Sequence, residues 1–323
     1  MIRQRVSHTA AALALCGGVL SWAPAASADN GPYDWLDRMT RAVQTTNYEG
    51  TVIRIKGNSA EALKVVHTVS DGVVRERLIA QDGDGLEIIR NGNEVHCILP
   101  DKQSVLVEEW NHQSTLFTKL PTSALQSGNE YDVVMRSEDR VAGRKALVIA
   151  VQPHDEYRYA HKVWIDTETG FPLQTQMLDA GDDALEIVKF ADIRLNHEIH
   201  SSALKPTYST ENFRWFSQPG KSITEVVDAE WHSDDLPLGF RIVESHKEST
   251  PGGAETMTHI VLSDGLARIS VFITPLTDNR DTESSQVGAS HSFSTVIDGY
   301  RVTAIGEVPA VTVEQIASSM SRQ

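Results

Sequence analysis

Between Thr51 and Leu99 the chain is broken at short intervals by Gly57-Asn58, Asp71-Gly72, Asp82-Gly83 and Asn91-Gly92, residue pairs that supply the positive backbone angles of tight hairpins. The stretches around them, Thr51 to Lys56, Leu63 to Val69, Val73 to Ala80, Leu86 to Arg90 and Glu94 to Leu99, have strand length and strand composition. Strands joined by such turns pair antiparallel. Similar runs at Tyr131 to Met135, Ala146 to Gln152, Tyr159 to Asp166, Leu173 to Leu178 and Ala184 to Leu195 extend the series, with turns at Thr169-Gly170 and Gly181-Asp182.

Helix signals are sparse by comparison. After Gly31-Pro32, the residues Trp35, Met39, Ala42 and Val43 recur at helical spacing, and Asp34 and Asp37 sit where the helix dipole favours negative charge, so a helix ending near Asn47 is predicted. Leu116 to Leu125 is a second helical or irregular candidate. One or two helices cover only part of a large sheet's apolar face, which implies a concave interior that is not completely filled.

Strand character fades over residues 201–220, where Pro206 and Pro219 stand among Ser and Thr, and this segment reads as a linker between a large domain (29–200) and a smaller one (221–323). The second part has strand runs at Phe240 to His246, Glu255 to Leu262, Leu266 to Thr274 and Tyr300 to Val308. It closes with a helix in which Val313, Ile316, Ala317 and Met320 share a face. Thr277 to Ser292 has few apolar residues and is expected to be a mobile surface loop. The fold class is therefore α+β, with antiparallel sheets dominant.

At the amino terminus, Arg3 and Arg5 precede an apolar run from Thr9 to Trp22, and Ala26-Ser27-Ala28 supplies the small residues of a cleavage site. Residues 1–28 are predicted to be a Sec-type signal peptide cleaved before Asp29. Cys16 follows Leu15, which is unsuited to a lipobox, so the mature chain keeps Cys97 alone and forms no internal disulfide. Beside Val95, Ile98 and Leu99, that thiol is expected to be a buried strand residue. Removing a leader that carries Arg3 and Arg5 but no acid takes the formal charge from −15 to −17, which disfavours nucleic acid as a partner.

Recognised catalytic or metal patterns are missing. His197-Glu198-Ile199-His200 lacks the four-residue spacing of a zinc-binding helix. Gly83-Asp84-Gly85 has Ile88 where a dinucleotide fingerprint needs its third glycine, and Asp82 and Asp84 begin a calcium loop that Glu87 and Asn93 do not complete. Gly288-Ala289-Ser290-His291-Ser292 departs from a nucleophile elbow at its last position. No catalytic residue, metal or cofactor is assigned, and a binding protein is expected in place of an enzyme.

Several segments carry a resemblance to a known family. Asn47-Tyr48-Glu49-Gly50-Thr51, Val65-Val66-His67, Arg75-Glu76-Arg77-Leu78 and Glu94-Val95-His96-Cys97-Ile98-Leu99-Pro100-Asp101 resemble the amino-terminal domain of RseB/MucB proteins. Trp231, Leu236-Pro237-Leu238-Gly239-Phe240, Leu262-Ser263-Asp264-Gly265-Leu266, Ser270-Val271-Phe272 and Ile305-Gly306-Glu307-Val308-Pro309 resemble its carboxy-terminal domain, in the same order.

The resemblance implies a LolA-like unclosed antiparallel half-barrel with covering helices, joined to a smaller antiparallel α+β domain. It further implies a periplasmic negative regulator in the sigma-E envelope-stress pathway. Such a protein binds the periplasmic domain of an inner-membrane anti-sigma factor and shields it from proteolysis until lipopolysaccharide or lipoprotein acyl chains compete. A lipid or lipoprotein carrier of LolA type is the alternative, and a homo-oligomer is left open. Anionic head groups would require cations at the cavity mouth, for which Arg75, Arg77 and Arg90 are the candidates; their other reading is a solvated sheet face with cross-strand partners such as Glu87. Trp231 and Phe240 are candidates for partner contact, with packing of the small domain's core or of its contact with the large one as the alternative.

Overall fold

The sequence alternation is realised as one large sheet and one smaller one. The structure, a computed structural model, describes residues 31–109, 116, 125, 128, 130–217, 230–249, 256–276 and 282–322. Helix α1 (Pro32–Thr45) begins with proline at its first position and with the Gly31 N–H donating to Asp34 Oδ2 at 3.0 Å. It buries Leu36, Met39 and Ala42 and passes through an extended Thr46 into the sheet.

The strands of that sheet are β1 (Tyr48–Lys56), β2 (Ser59–Ser70), β3 (Val73–Ala80), β4 (Glu87–Asn91), β5 (Glu94–Leu99) and β6 (Ser104–Glu109), followed by β7 (Tyr131–Val141), β8 (Arg144–Pro153), β9 (Ala160–Asp166), β10 (Pro172–Leu178), β11 (Ala184–Leu195) and β12 (Arg214–Ser217). Their spatial order is β12-β6-β5-β4-β3-β2-β1-β11-β10-β9-β8-β7, antiparallel throughout except for the β12–β6 pair, with the two sequential runs joined where β1 meets β11. Among the described residues the sheet ends at β12 and at β7 without closing.

Asp71 and Gly72 both adopt positive φ, at 52° and 74°, as the tight turn between β2 and β3 requires. Gly50 is fixed by a different constraint. A Cβ there would lie 2.3 Å from the Asp192 carbonyl oxygen, where β1 and β11 close on each other beside a register shift at Thr51/Val52.

The smaller region pairs β13 (Trp231–His232) with β20 (Ser321–Arg322) and builds a six-stranded antiparallel sheet from β14 (Arg241–Ser249), β15 (Thr256–Ser263), β16 (Arg268–Pro275), β17 (Glu283–Val287), β18 (Ser290–Ile297) and β19 (Tyr300–Gly306), in the order β14-β15-β16-β19-β18-β17. Helix α2 (Ala310–Ser319) places Val313, Ile316 and Ala317 in a core with Trp231, Ile260, Leu262 and Val271.

Two sequence expectations need correction. Within the stretch 277–292, whose first five residues lie outside those described, Glu283–Val287 form β17 and Ser290 begins β18, joined at Gly288; the polar composition of β17 reflects an exposed edge strand, and ladder hydrogen bonds supply the order that apolar burial does not. Inside the expected linker, residues Arg214–Ser217 form β12, which pairs in parallel with β6 on the edge of the large sheet. The candidate helix between Leu116 and Leu125 lies outside the described residues except at those two positions. Among the described residues no helix is long and apolar enough to cross a membrane.

Candidate functional site

Because side chains alternate along a strand, Tyr48, Val52 and Arg54 of β1 emerge on one face, with His67, Val65, Leu63 and Glu61 beside them on β2. That face has two unlike ends. At the Tyr48 end it is full: the Tyr48 ring stacks on His67 with centroids 4.7 Å apart, and Phe171 and Phe190 lie 4.7 and 6.0 Å away. Cross-strand neighbours continue the row from His67 to Glu76 and from Glu76 to Arg90, all buried. The Tyr48 hydroxyl donates to Glu76 Oε2 at 3.4 Å. Desolvation, with the Arg90 charge nearby, lowers the pKa of His67 to about 4, and its ring faces the Thr46 carbonyl at 3.2 Å.

Toward the other end of the same strands the filling stops. A cavity of about 420 Å³, within the range of small-ligand sites, is walled by Val52, Leu63, Leu78, Ile88, Met177 and Val188. Arg54, Glu61, Lys162, Gln176, Glu186 and Glu307 supply its polar lining, the last from the loop after β19 in the smaller region. The Arg54 Nε donates to Glu186 Oε1 at 2.7 Å, and the Lys162 ammonium donates to both oxygens of Asp182 at 2.9 and 3.1 Å. His161, also in the lining, has its pKa lowered to about 4 by desolvation.

The arginines proposed from the sequence lie elsewhere. Arg75 is exposed, and Arg77, on the same side of β3, donates to Glu87 at 2.6 Å, to the Ala203 carbonyl at 3.0 Å and to Thr207. Glu87 also accepts the Thr207 backbone N–H, so this buried carboxylate and Arg77 hold the 201–207 segment against the sheet. Arg90 is buried at the full end, donating to the Gly92 carbonyl at 2.7 Å. None of the three is in the cavity lining. Strand parity placed Arg75 and Arg77 together correctly, but it does not say which face is concave.

Trp231 is 2% exposed and packs edge-on to Tyr300 inside the small core. Phe240 belongs to that core too, yet its ring also carries the Arg158 guanidinium at 5.1 Å. Arg158 marks a joint that sequence reasoning missed. Its side chain comes from the loop between β8 and β9, is fully buried, and donates to Asp264 Oδ2 at 2.7 Å, Leu238 O at 2.6 Å and Asp155 Oδ1 at 2.9 Å. The Tyr131 hydroxyl donates to the same Asp264 oxygen at 2.8 Å, while Asp264 Oδ1 accepts the backbone N–H groups of Leu266 and Ala267. Thr312 adds a hydrogen bond to the Tyr157 carbonyl at 2.7 Å. The two regions are thus joined by a buried polar contact in which both oxygens of Asp264 accept two hydrogen bonds each. The sequence signal for it was Ser263-Asp264-Gly265, whose turn role concealed the second carboxylate oxygen.

Cys97, on β5, is half-buried with its pKa raised to about 11 by desolvation and by Glu108, which keeps the thiol protonated and unreactive at neutral pH. His291 of the Gly288 to Ser292 stretch has its Nδ1 2.9 Å from the Val308 carbonyl and 3.3 Å from the Tyr159 hydroxyl, a bridge between the two regions. The arrangement can enclose an apolar group beside a rigid junction.

Comparison with known proteins agrees with this architecture over most of the chain. The sequence profile of the MucB/RseB N-terminal domain matches residues 31–208, and that of the MucB/RseB C-terminal domain matches residues 225–321. The chain is 32% identical over 319 residues to the sigma factor AlgU regulatory protein MucB of Pseudomonas aeruginosa, covering 97% of each chain. It is 28% identical to the sigma-E factor regulatory protein RseB of Escherichia coli, covering 96% of each. A crystal structure of MucB in complex with MucA(peri) superposes with a TM-score of 0.72 at 30% identity, covering 90% of this chain and 98% of that one. With matching profiles for both regions in the same order, the chain belongs to the MucB/RseB family.

Proposed function

We propose that this protein is an exported regulator, addressed to the periplasm by residues 1–28, that binds the periplasmic segment of an inner-membrane anti-sigma factor and shields it from proteolysis. The observation that carries this reading is the likeness across both regions to a MucB chain crystallised with MucA(peri). The Arg158–Asp264 joint supports it, because a partner lying along both regions loses least on binding when they are held in fixed relation. Catalysis has no part in this activity.

The cavity supports a second element, relief of binding by the acyl chain of a misplaced lipid or lipoprotein. Each buried methylene contributes about 0.8 kcal/mol, so a chain of about eight carbons gains roughly 6 kcal/mol before ordering costs. Relief requires that the lipid bind the free protein better than the partner-bound one, since equal affinity shifts nothing.

The test is a titration of purified residues 29–323 with the periplasmic segment of the cognate anti-sigma factor, followed by limited proteolysis of the segment. Saturable binding and slower cleavage of the segment are expected. A segment that neither binds nor gains protection would remove the proposal.

A further inference from the structure

Resting on the acyl-chain reading above, we infer that the cavity takes up a proton together with an anionic amphiphile, and that His161 is the group that receives it, so that acid strengthens lipid binding. The lining is divided in a way that places a head group beside this residue. Strands β1 to β4 give the cavity its apolar wall, through Val52, Leu63, Leu78, Ala80 and Ile88, whereas β9 and β10 bring His161, Lys162, Thr175 and Gln176. A tail lies against the first group and a head against the second. His161 stands in register with Met177, and Lys162 with Gln176, so the polar side is one continuous patch across two strands.

The charges around His161 are paired with one another before any ligand arrives. Lys162, beside it on β9, donates to both oxygens of Asp182, and Arg54 of β1 is held by Glu186 of β11 at 2.7 Å. From the smaller region, Glu307 pairs with Lys56 at 3.3 Å, and Asp264 accepts from Arg158 and Tyr131. Glu61 of β2 is exposed and in register with Arg54. Val151 on β8 and Met177 on β10, the register partners of His161, carry no charge.

An anionic head therefore adds a charge that these pairs can balance only by breaking. A proton on His161 balances it with every pair intact. In the empty cavity burial keeps the imidazole neutral, with a pKa of about 4 that the charge of Asp264 raises only in part. A negative charge at about 4–6 Å raises such a pKa by about 1–3, which brings it to about 6 in the complex. Above that value His161 is neutral with or without lipid, and affinity does not depend on pH. Below it the complex holds a proton that the free protein lacks, and affinity climbs until the free protein is protonated as well.

The probe is lysophosphatidylglycerol, whose phosphodiester stays charged throughout, titrated below its micellar concentration into the full mature chain between about pH 7 and pH 5. Calorimetry in buffers of different ionisation enthalpy gives both the affinity and the protons taken up. About tenfold tighter binding at the acid end is expected, with uptake approaching one proton per lipid. Lysophosphatidylcholine of the same chain length, which carries its own cation, should show a smaller rise. His161→Gln should flatten the profile, whereas His67→Phe, at the filled end and outside the lining, should keep it. Affinity without pH dependence, binding without proton uptake in the unmodified protein, or a rise that survives in His161→Gln overturns the proton-uptake inference alone. Failure of the lipid to bind at any pH overturns the acyl-chain reading and this inference with it.

Discussion

The same six or seven strands are filled at one end of their inner face and empty at the other. At the Tyr48 end, aromatic rings from β1, β11 and the loop before β10 close on one another, and the polar groups among them, His67, Glu76 and Arg90, are buried in a cross-strand row. Six residues along β1, at Arg54, the corresponding space is a cavity bordered by ion pairs that reach water. Both ends have apolar walls and charged residues. The difference lies in side-chain size: Tyr48, Phe171 and Phe190 span the gap at one end, whereas Val52, Leu63, Leu78 and Val188 do not at the other. An apolar space of that kind is retained at a cost in stability, which points to a use in binding.

The sharpest way to break this contrast is to create a void where none exists. Phe190→Ala, in the filled end, should destabilise the fold by about 3–5 kcal/mol, whereas Leu63→Ala in the cavity wall should cost nearer 1 kcal/mol because that side chain already faces open space. Chemical denaturation of both variants measures the difference. Equal losses would show that the two ends are packed alike.

The interdomain joint resembles the filled end, so it too should be intolerant. Asp264→Ala removes one of the two carboxylates paired with the buried Arg158, leaves the Tyr131 hydroxyl without its acceptor, and should cost about 3–5 kcal/mol. The anti-sigma segment should also bind more weakly, read by the same titration that tests the wild-type protein. A variant that binds normally would assign the joint to stability alone.

Protonation offers a reversible probe of the filled end. His67 has an ordinary pKa of 6.5 and a folded value of about 4. Above pH 6.5 both folded and unfolded states carry it neutral, and its contribution is fully present. As the pH falls toward 4 the unfolded state takes up the proton first, so stability is lost across that window, by roughly 3 kcal/mol at about 1.4 kcal/mol per unit. His67→Phe keeps the ring stacked on Tyr48 and should flatten this part of the pH profile; an unchanged profile would place the effect elsewhere, with His161 the next group to replace.

The smallest effect on stability should come from filling the cavity. Leu63→Phe is expected to change unfolding free energy by less than about 1 kcal/mol, since the added volume enters empty space, while abolishing acyl-chain binding. Retained lipid affinity in this variant would move the ligand to another surface.

Much of the fold was legible because it is local. Asp71-Gly72 and Asn91-Gly92 fix hairpins between adjacent strands, and a resemblance spread over both regions ordered them. Strands β12 and β17 escaped notice because they are short or polar, held by ladder hydrogen bonds to neighbours more than by an apolar pattern of their own. The site was much less legible. Arg54 finds Glu186 across 132 residues, and Arg158 finds Asp264 across 106, so neither pair leaves a mark in local sequence. Arg75 and Arg77 stood out as a basic pair, yet the ion pair with Glu87 uses Arg77 to fasten the interdomain segment on the far side of the strand from Leu78.

The decisive measurement is the affinity of the mature protein for the periplasmic anti-sigma segment at increasing concentrations of an acyl-chain lipid, run in parallel on the Leu63→Phe variant. If occupancy of the cavity and capture of the partner exclude each other, apparent affinity should fall in proportion to lipid bound by the wild-type protein and stay constant in the variant. Affinity that is the same with and without saturating lipid would separate the cavity from regulation.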